Sequence, residues 1–157
     1  MRVGLGFDAH RFGGEGPIVL AGVVFATDRG LEGTSDADVA AHGVADALLG
    51  AAALGDLGAQ FPASDERWNG ADSMFLLERV VALLADAGQQ PYNVDVTLVA
   101  QSVRIAPHRE EMRHRLADVL AIDISAVSVK ATTTDHLGSI GRDEGIAALA
   151  VATITER

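Results

Sequence analysis

Alternation opens the chain. From Arg2 to His10, Val3, Leu5 and Phe7 occupy one parity, and Gly4, Gly6, Asp8 and His10 the other. This period-two pattern predicts a strand with one apolar face. Pro17 to Phe25, rich in Val and Ile, reads as a second strand or hairpin arm. Ser35-Asp36-Ala37-Asp38 supplies capping residues for a helix that runs through Val39 to about Leu54 and stops near Gly55. Its apolar positions, Val39, Ala40, Val44, Leu48, Leu49 and Ala52, leave few polar faces, so burial is expected, in part by another subunit. Gly55 to Gly70 reads as loop, and Asp72-Ser73 caps a second helix ending at Gly88. Val94 to Ala100 alternates as a strand. Pro107 suits the first turn of a third helix with Met112, Leu116 and Val119 inside, and Val127 to Thr132 is a strand. Gly145 to Ile154 is a last strand, apolar on both faces. It needs cover from helices on one side and from a subunit interface on the other. The fold class is α/β (α+β): one domain over residues 1–157, with a single-layer mixed sheet of about four strands packed with helices.

Composition narrows the function. A net charge of −10 weighs against nucleic acid as a partner, since such binders need a basic face. If the substrate is a phosphate ester, local positive charge must come from elsewhere, and metal ions are the obvious source. There is no cysteine, which excludes disulfides and thiolate metal sites. Any transition metal is then held by His, Asp and Glu, a set that fits zinc, manganese or magnesium. No signal-peptide pattern and no transmembrane run is present, so a cytoplasmic protein without a membrane partner is expected.

The strongest candidate chemistry is Asp8 and His10 together with His42. Asp8 and His10 share one strand face, and the glycines beside them are expected to leave the space a site needs. With His42 opposite, three ligands and an open position make the pattern of a catalytic zinc site. The competing reading is a strand-end cap and ordinary polar histidines. Asp38, His42 and Asp46 follow at helical spacing on one stripe. Asp46 is a candidate to orient His42 from behind, or else solvates the helix. Thr132-Thr133-Thr134-Asp135 combines hydroxyls and a carboxylate at a strand end, suited to phosphate oxygens and a hard cation, or simply to turn chemistry. Gly138-Ser139-Ile140-Gly141-Arg142 is either an anion-wrapping loop or a plain turn, and Asp56 is either a hydroxyl acceptor or part of a helix-terminal turn. His108 and His114 read as surface residues of a charged helix, and His136 is not assigned as a ligand.

Several of these stretches together resemble the 2-C-methyl-D-erythritol 2,4-cyclodiphosphate synthase family over essentially the full length. They are Arg2 through His10, Ser35 through Val39, His42, Asp46 through Gly58, Lys130 through Thr134, and Gly141 through Gly145. The resemblance implies a homotrimer with sites at subunit interfaces. The substrate would be a cytidine diphosphate ester carrying a second phosphate, cyclised with release of CMP by a phosphorus–oxygen lyase. It implies zinc on Asp8, His10 and His42, and magnesium or manganese at Asp135. It assigns transition-state stabilisation to Thr34 and Thr133. Substrate contacts would fall to Ser35, Asp56, Leu57, Gly58, Phe61, Ala100, Arg104, Ala106, Thr132, Thr133, Thr134, Asp135, Ser139 and Arg142. The chain departs from the family pattern in four places. Thr34 replaces a histidine, Asp135 a glutamate and Ser139 a phenylalanine, and Ser102-Val103-Arg104 stands where a Pro-Lys pattern is usual. The alternatives are a diverged zinc-binding homologue with altered or lost cyclase activity, and a trimer that only binds a nucleotide or isoprenoid diphosphate.

Overall fold

The computed structural model describes residues 1–157. The chain runs β1 (Arg2–Glu15), β2 (Ile18–Leu20), β3 (Val23–Phe25), β4 (Arg29–Leu31), α1 (Val39–Ala52), α2 (Leu57–Gln60), α3 (Ser73–Asp86), β5 (Gln89–Val99), α4 (Arg109–Leu120), β6 (Val127–Thr132), α5 (Gly138–Gly141) and β7 (Gly145–Glu156). The main sheet has five strands rather than four, in the order β4-β1-β7-β5-β6, and β2 and β3 form a separate hairpin. β4 escapes periodicity because three residues carry no alternation. It pairs antiparallel with β1 across an irregular register between Phe12 and Glu15. Only β5 and β6 run parallel. β5 begins at Gln89, five residues earlier than the alternation indicates, because a register irregularity between Pro91 and Asn93 breaks the period. The segments read as loops at 55–70 and 138–142 contain the one-turn helices α2 and α5.

All the main helices lie on one face of the sheet. α1 packs across β1 and β7, with α3 and α4 beside it. Its approach to β1 is set by missing side chains. A Cβ at Gly4 would collide with the carbonyl of Ala47, and one at Gly6 with the carbonyl of Gly43. The glycines of β1 therefore make room for the backbone of α1, which is a different use from open space around Asp8 and His10. The expected partial cover of α1 by another subunit is not needed. Twelve of its residues are buried within the chain itself, leaving only Asp46 and Gly50 more open.

The start of α1 is fixed by Asp38. Its side chain is fully buried and accepts from Ala40 and Ala41 N–H as the helix cap, and from Ala21 and Gly22 N–H at the tip of the β2–β3 hairpin. Burial pushes the Asp38 carboxyl up to about 6, against the lowering effect of its N–H donors. The helix thus starts at Val39, directly after Asp38.

The other face of the sheet is bare. Val3, Leu5 and Phe7 are 67%, 66% and 59% exposed, and their neighbours Leu149 and Val151 are 39% and 40% exposed. The opposite parity of β7, Ile146, Ala148, Ala150, Ala152 and Ile154, is buried under the helices. Gly4→Ala forces methyl against helix backbone that has no rotamer to yield. It is expected to destabilise the protein by about 1–3 kcal/mol, read by denaturant unfolding. Unchanged stability would mean that α1 can ride outward without cost.

Candidate metal centre

Asp8, His10 and His42 converge. Each offers one ligand atom, and the three atoms lie within 4.8 Å of one another. Asp8 Oδ2 is 3.1 Å from His10 Nε2 and 2.8 Å from His42 Nδ1, and the two rings are 5.6 Å apart. The strand supplies Asp8 and His10 on the parity that faces α1, and the first turn of α1 supplies His42.

The remaining ring nitrogens face other groups. His10 Nδ1 lies 2.6 Å from the Glu32 carbonyl, which accepts its proton. That carbonyl is placed by the chain leaving β4, where Glu32 N–H donates to Arg11 O at 2.9 Å. Gly33 keeps the space beside the ring clear, since a Cβ there would sit 3.0 Å from His10 Cε1. His42 Nε2 faces the hydroxyls of Ser73 and Ser35, at 2.8 and 3.1 Å.

The electrostatics follow from this crowding. Burial raises Asp8, but hydrogen bonds and charge from His10 and His42 outweigh it and hold the carboxyl well below the usual carboxylate range. The hydrogen bond with Asp8 raises His10 above its ordinary value, with burial partly opposing. A carboxylate and two ring nitrogens aimed at one point require a cation among them, supplied either by protons or by a metal ion. A two-histidine, one-carboxylate set is suited to zinc and to other first-row divalent ions.

A cleft of about 490 Å³ opens on His10 and His42 and is lined also by Thr34, Ser35, Leu57, Gly58 and Phe61. Asp56 caps α2 at its edge, accepting from Ala59 N–H at 2.8 Å. Asp46 lies near His42, but its carboxylate accepts the Leu57 N–H at 2.7 Å and not a His42 proton. It thereby ties the Leu57–Gly58 lip of the cleft to α1. Burial pushes its pKa up.

The other residues singled out do not line this cleft. Thr132 closes β6, and Ala100, Arg104, Ala106 and Thr133 through Asp135 follow β5 and β6. Ala100 N–H donates to Thr132 O at 3.0 Å, and His136 N–H to Gln101 at 3.3 Å, so the two loops form one surface. Asp135 is exposed and lies outside the three-residue cluster. Its N–H donates to Thr133 Oγ1 at 3.2 Å. Ser139 lines a smaller hollow beside Ala9, His10 and Glu144, and Arg142 is paired with Glu144 at 2.6 Å. His108 is half-buried against Phe25, with ring centroids 4.3 Å apart, in a short turn before α4 rather than on its exposed surface.

Two contributors carried no sequence signal. A backbone carbonyl such as Glu32 O has no residue type. Ser73, 31 positions from His42, reads from sequence as part of a helix cap. Asp72 performs that capping, accepting from Met74 N–H at 2.8 Å, while Ser73 turns inward.

Comparison with known proteins agrees with this fold. The YgbB family model matches residues 1–155. The 2-C-methyl-D-erythritol 2,4-cyclodiphosphate synthase of Salinibacter ruber is 54% identical, covering 98% of both chains. That of Symbiobacterium thermophilum is 52% identical over the whole of both. Among solved structures, the bifunctional IspDF from Campylobacter jejuni superposes with a TM-score of 0.95 at 40% identity, covering 99% of this chain and 42% of that longer one. The CDP complex of Plasmodium falciparum IspF superposes with a TM-score of 0.86 at 28% identity, covering 99% of this chain and 96% of that one. No helix is long and apolar enough to cross a membrane. With its full-length matches, the chain belongs to the YgbB family, that of the 2-C-methyl-D-erythritol 2,4-cyclodiphosphate synthases.

Proposed function

We propose that the chain converts 4-diphosphocytidyl-2-C-methyl-D-erythritol 2-phosphate to 2-C-methyl-D-erythritol 2,4-cyclodiphosphate with release of CMP. This is a phosphorus–oxygen lyase reaction in the non-mevalonate isoprenoid pathway. The observation that carries the reading is the convergence of Asp8, His10 and His42 at the mouth of a cleft, in a chain about half identical to such synthases over its full length. In the reaction an oxygen of the 2-phosphate bonds to the β-phosphorus. The bond from that phosphorus to the α-bridging oxygen breaks, and its electron pair leaves with CMP. The nucleophile is already an anion, so no base has to remove a proton.

Asp8, His10 and His42 hold zinc in this reading, which when bound supplies Lewis-acid charge for a phosphate oxygen. Ser35 and Thr34 donate hydroxyls along the same wall of the cleft, and Thr34 stands where a longer, chargeable side chain is usual. Leu57, Gly58 and Phe61, with Asp56 at the lip, hold the methylerythritol part. The folded-back substrate then meets its own β-phosphate at high effective concentration. Ala100, Arg104 and Ala106 receive the cytidine, and Thr132, Thr133, Thr134 and Asp135 the diphosphate, with Asp135 binding magnesium or manganese. Ser139 and Arg142 contact anions near the symmetry axis. The stretches 100–106 and 132–135 do not line the metal cleft of the same chain. A homotrimer that sets the loops of one subunit against the cleft of the next completes the site. The bare apolar face of Val3, Leu5, Phe7, Leu149 and Val151 supports that assembly, since patches of this kind mark protein interfaces. A monomeric mass in solution would refute it.

The turnover experiment uses the diphosphocytidyl substrate with zinc and magnesium, followed by phosphorus resonances. Equal amounts of CMP and a cyclic diphosphate are expected. Inorganic phosphate would indicate hydrolysis, and tight CDP binding without turnover would favour the binding trimer. In the same assay Thr34→His is expected to accelerate cyclisation, and an unchanged rate would show that Thr34 is compensated locally.

Metal linkage has a defined sign. In the metal-free chain the raised His10 contributes stability below its ordinary value of 6.5, and this is lost as pH rises through the raised value. A metal ion needs the same lone pair free of its proton. The rise in melting temperature on adding zinc is therefore expected to grow from about pH 6 to about pH 8. A rise that shrinks over that range would place the ion elsewhere.

A further inference from the structure

His42 shows its two nitrogens to two different surroundings. Nδ1 lies on the side where Asp8 and His10 converge, and Nε2 lies 2.8 Å from Ser73 Oγ. A hydroxyl both donates and accepts, so the direction of this hydrogen bond depends on what else the Ser73 oxygen touches. Its other neighbour is Asp36. One carboxylate oxygen of Asp36 takes the Ser73 hydroxyl in a short hydrogen bond, and the other accepts the Ser73 backbone N–H at 3.0 Å. An ionised carboxylate only accepts. Ser73 is the first residue of α3, so its N–H is one of the free donors of a helix start, and Asp36 takes it. The proton of Ser73 is therefore committed to Asp36, and its lone pair is left facing the ring.

His42 must then supply the proton at Nε2, and an ion in the cluster would take the place of the Nδ1 proton that faces Asp8 Oδ2 at 2.8 Å in the metal-free chain, leaving the Nδ1 lone pair aimed at it. Ser73 is 1% exposed, so water does not compete for the link. We infer that Asp36 and Ser73 are positioning residues for the metal centre. They form a carboxylate–hydroxyl–imidazole link that locks His42 in the tautomer and orientation that turn Nδ1 toward the ion. Metal-bound histidines commonly have their second nitrogen held in this way, by a carboxylate or a carbonyl. The Glu32 carbonyl does the same for His10, and the hydroxyl inserted between Asp36 and His42 adds length, so that α3 becomes part of the support. Ser35, 3.1 Å from the same nitrogen and accepting from Ala37 N–H at 3.4 Å, keeps its own proton free to donate into the cleft.

The inference rests on the reading of Asp8, His10 and His42 as a metal site, and the test separates the two. In nitrogen-15-labelled, zinc-loaded wild type, the His42 Nε2–H resonance is expected to be visible and slow to exchange with water. Ser73→Ala is expected to shift that resonance and to lower zinc affinity about 10- to 100-fold, measured by competition with a chelator. Asp36→Asn keeps the shape but gives up one acceptor, and should move both readouts in the same direction. A purely structural role would lower the melting temperature while leaving the resonance and the affinity where they were. That result in folded Ser73→Ala and Asp36→Asn overturns the inference, as does an Nε2 without a proton in the wild type. If neither variant folds, the wild-type resonance decides alone. If zinc does not bind the wild type, the metal reading falls. The link is then judged on the metal-free protein, where a slowly exchanging proton on Nε2 supports it and an Nε2 without a proton refutes it.

Discussion

Close approach between α1 and β1 is the constraint on which the rest depends. The strand gives up side chains at Gly4 and Gly6, and the helix comes near enough for its carbonyls to occupy that volume. Asp8 and His10 continue the same parity of the strand, one and two steps further on. The glycine track that seats the helix thus runs directly into the ligand pair, and His42, in the first turn of α1, arrives opposite them. A Cβ at Gly4 or Gly6 would hold the helix further from the strand, and the His42 ring with it. Asp38 fixes the remaining freedom, the position of α1 along its own axis, by accepting two N–H groups from the helix start and two from the tip of the β2–β3 hairpin.

The same alternation gives β1 a second task on its other face. Val3, Leu5 and Phe7 stand exposed beside Leu149 and Val151, while the inward parity carries the site. One strand thereby links the apolar surface that suits subunit contact to the ligands of the metal centre. β4 adds a small but specific part, since its exit delivers the Glu32 carbonyl to His10.

Much of this was legible from sequence where chemistry and period coincide. Asp8 and His10 share a face because a strand alternates, and the helix beginning at Val39 has a capping carboxylate before it. The one-turn helices and β4 were not legible, because three or four residues do not establish a period. The early start of β5 was hidden by its register irregularity at Pro91. The role of the β1 glycines was misread as open space, since a sequence does not say which neighbour occupies the volume a glycine leaves. Glu32 O and Ser73 were invisible for a different reason. The first is a backbone atom, and the second sits in a capping motif whose alternative use depends on a ring 31 residues away.

Charge bears on how such an acidic chain would hold a multiply phosphorylated substrate. At a net charge of −10 the protein repels a polyanion at long range. The arginines that family resemblance places near the anion do little to offset this. Arg142 is already paired with Glu144, and only Arg104 stands exposed on the loop after β5. Backbone N–H groups and hydroxyls can order phosphate oxygens but carry no net charge. The positive charge must then arrive with the ions themselves. Binding of the anion and occupancy of the Asp8, His10 and His42 cluster become thermodynamically coupled, each strengthening the other. A support that fixes His42 therefore acts on substrate affinity as well as on the metal, although Asp36 and Ser73 lie behind the ring.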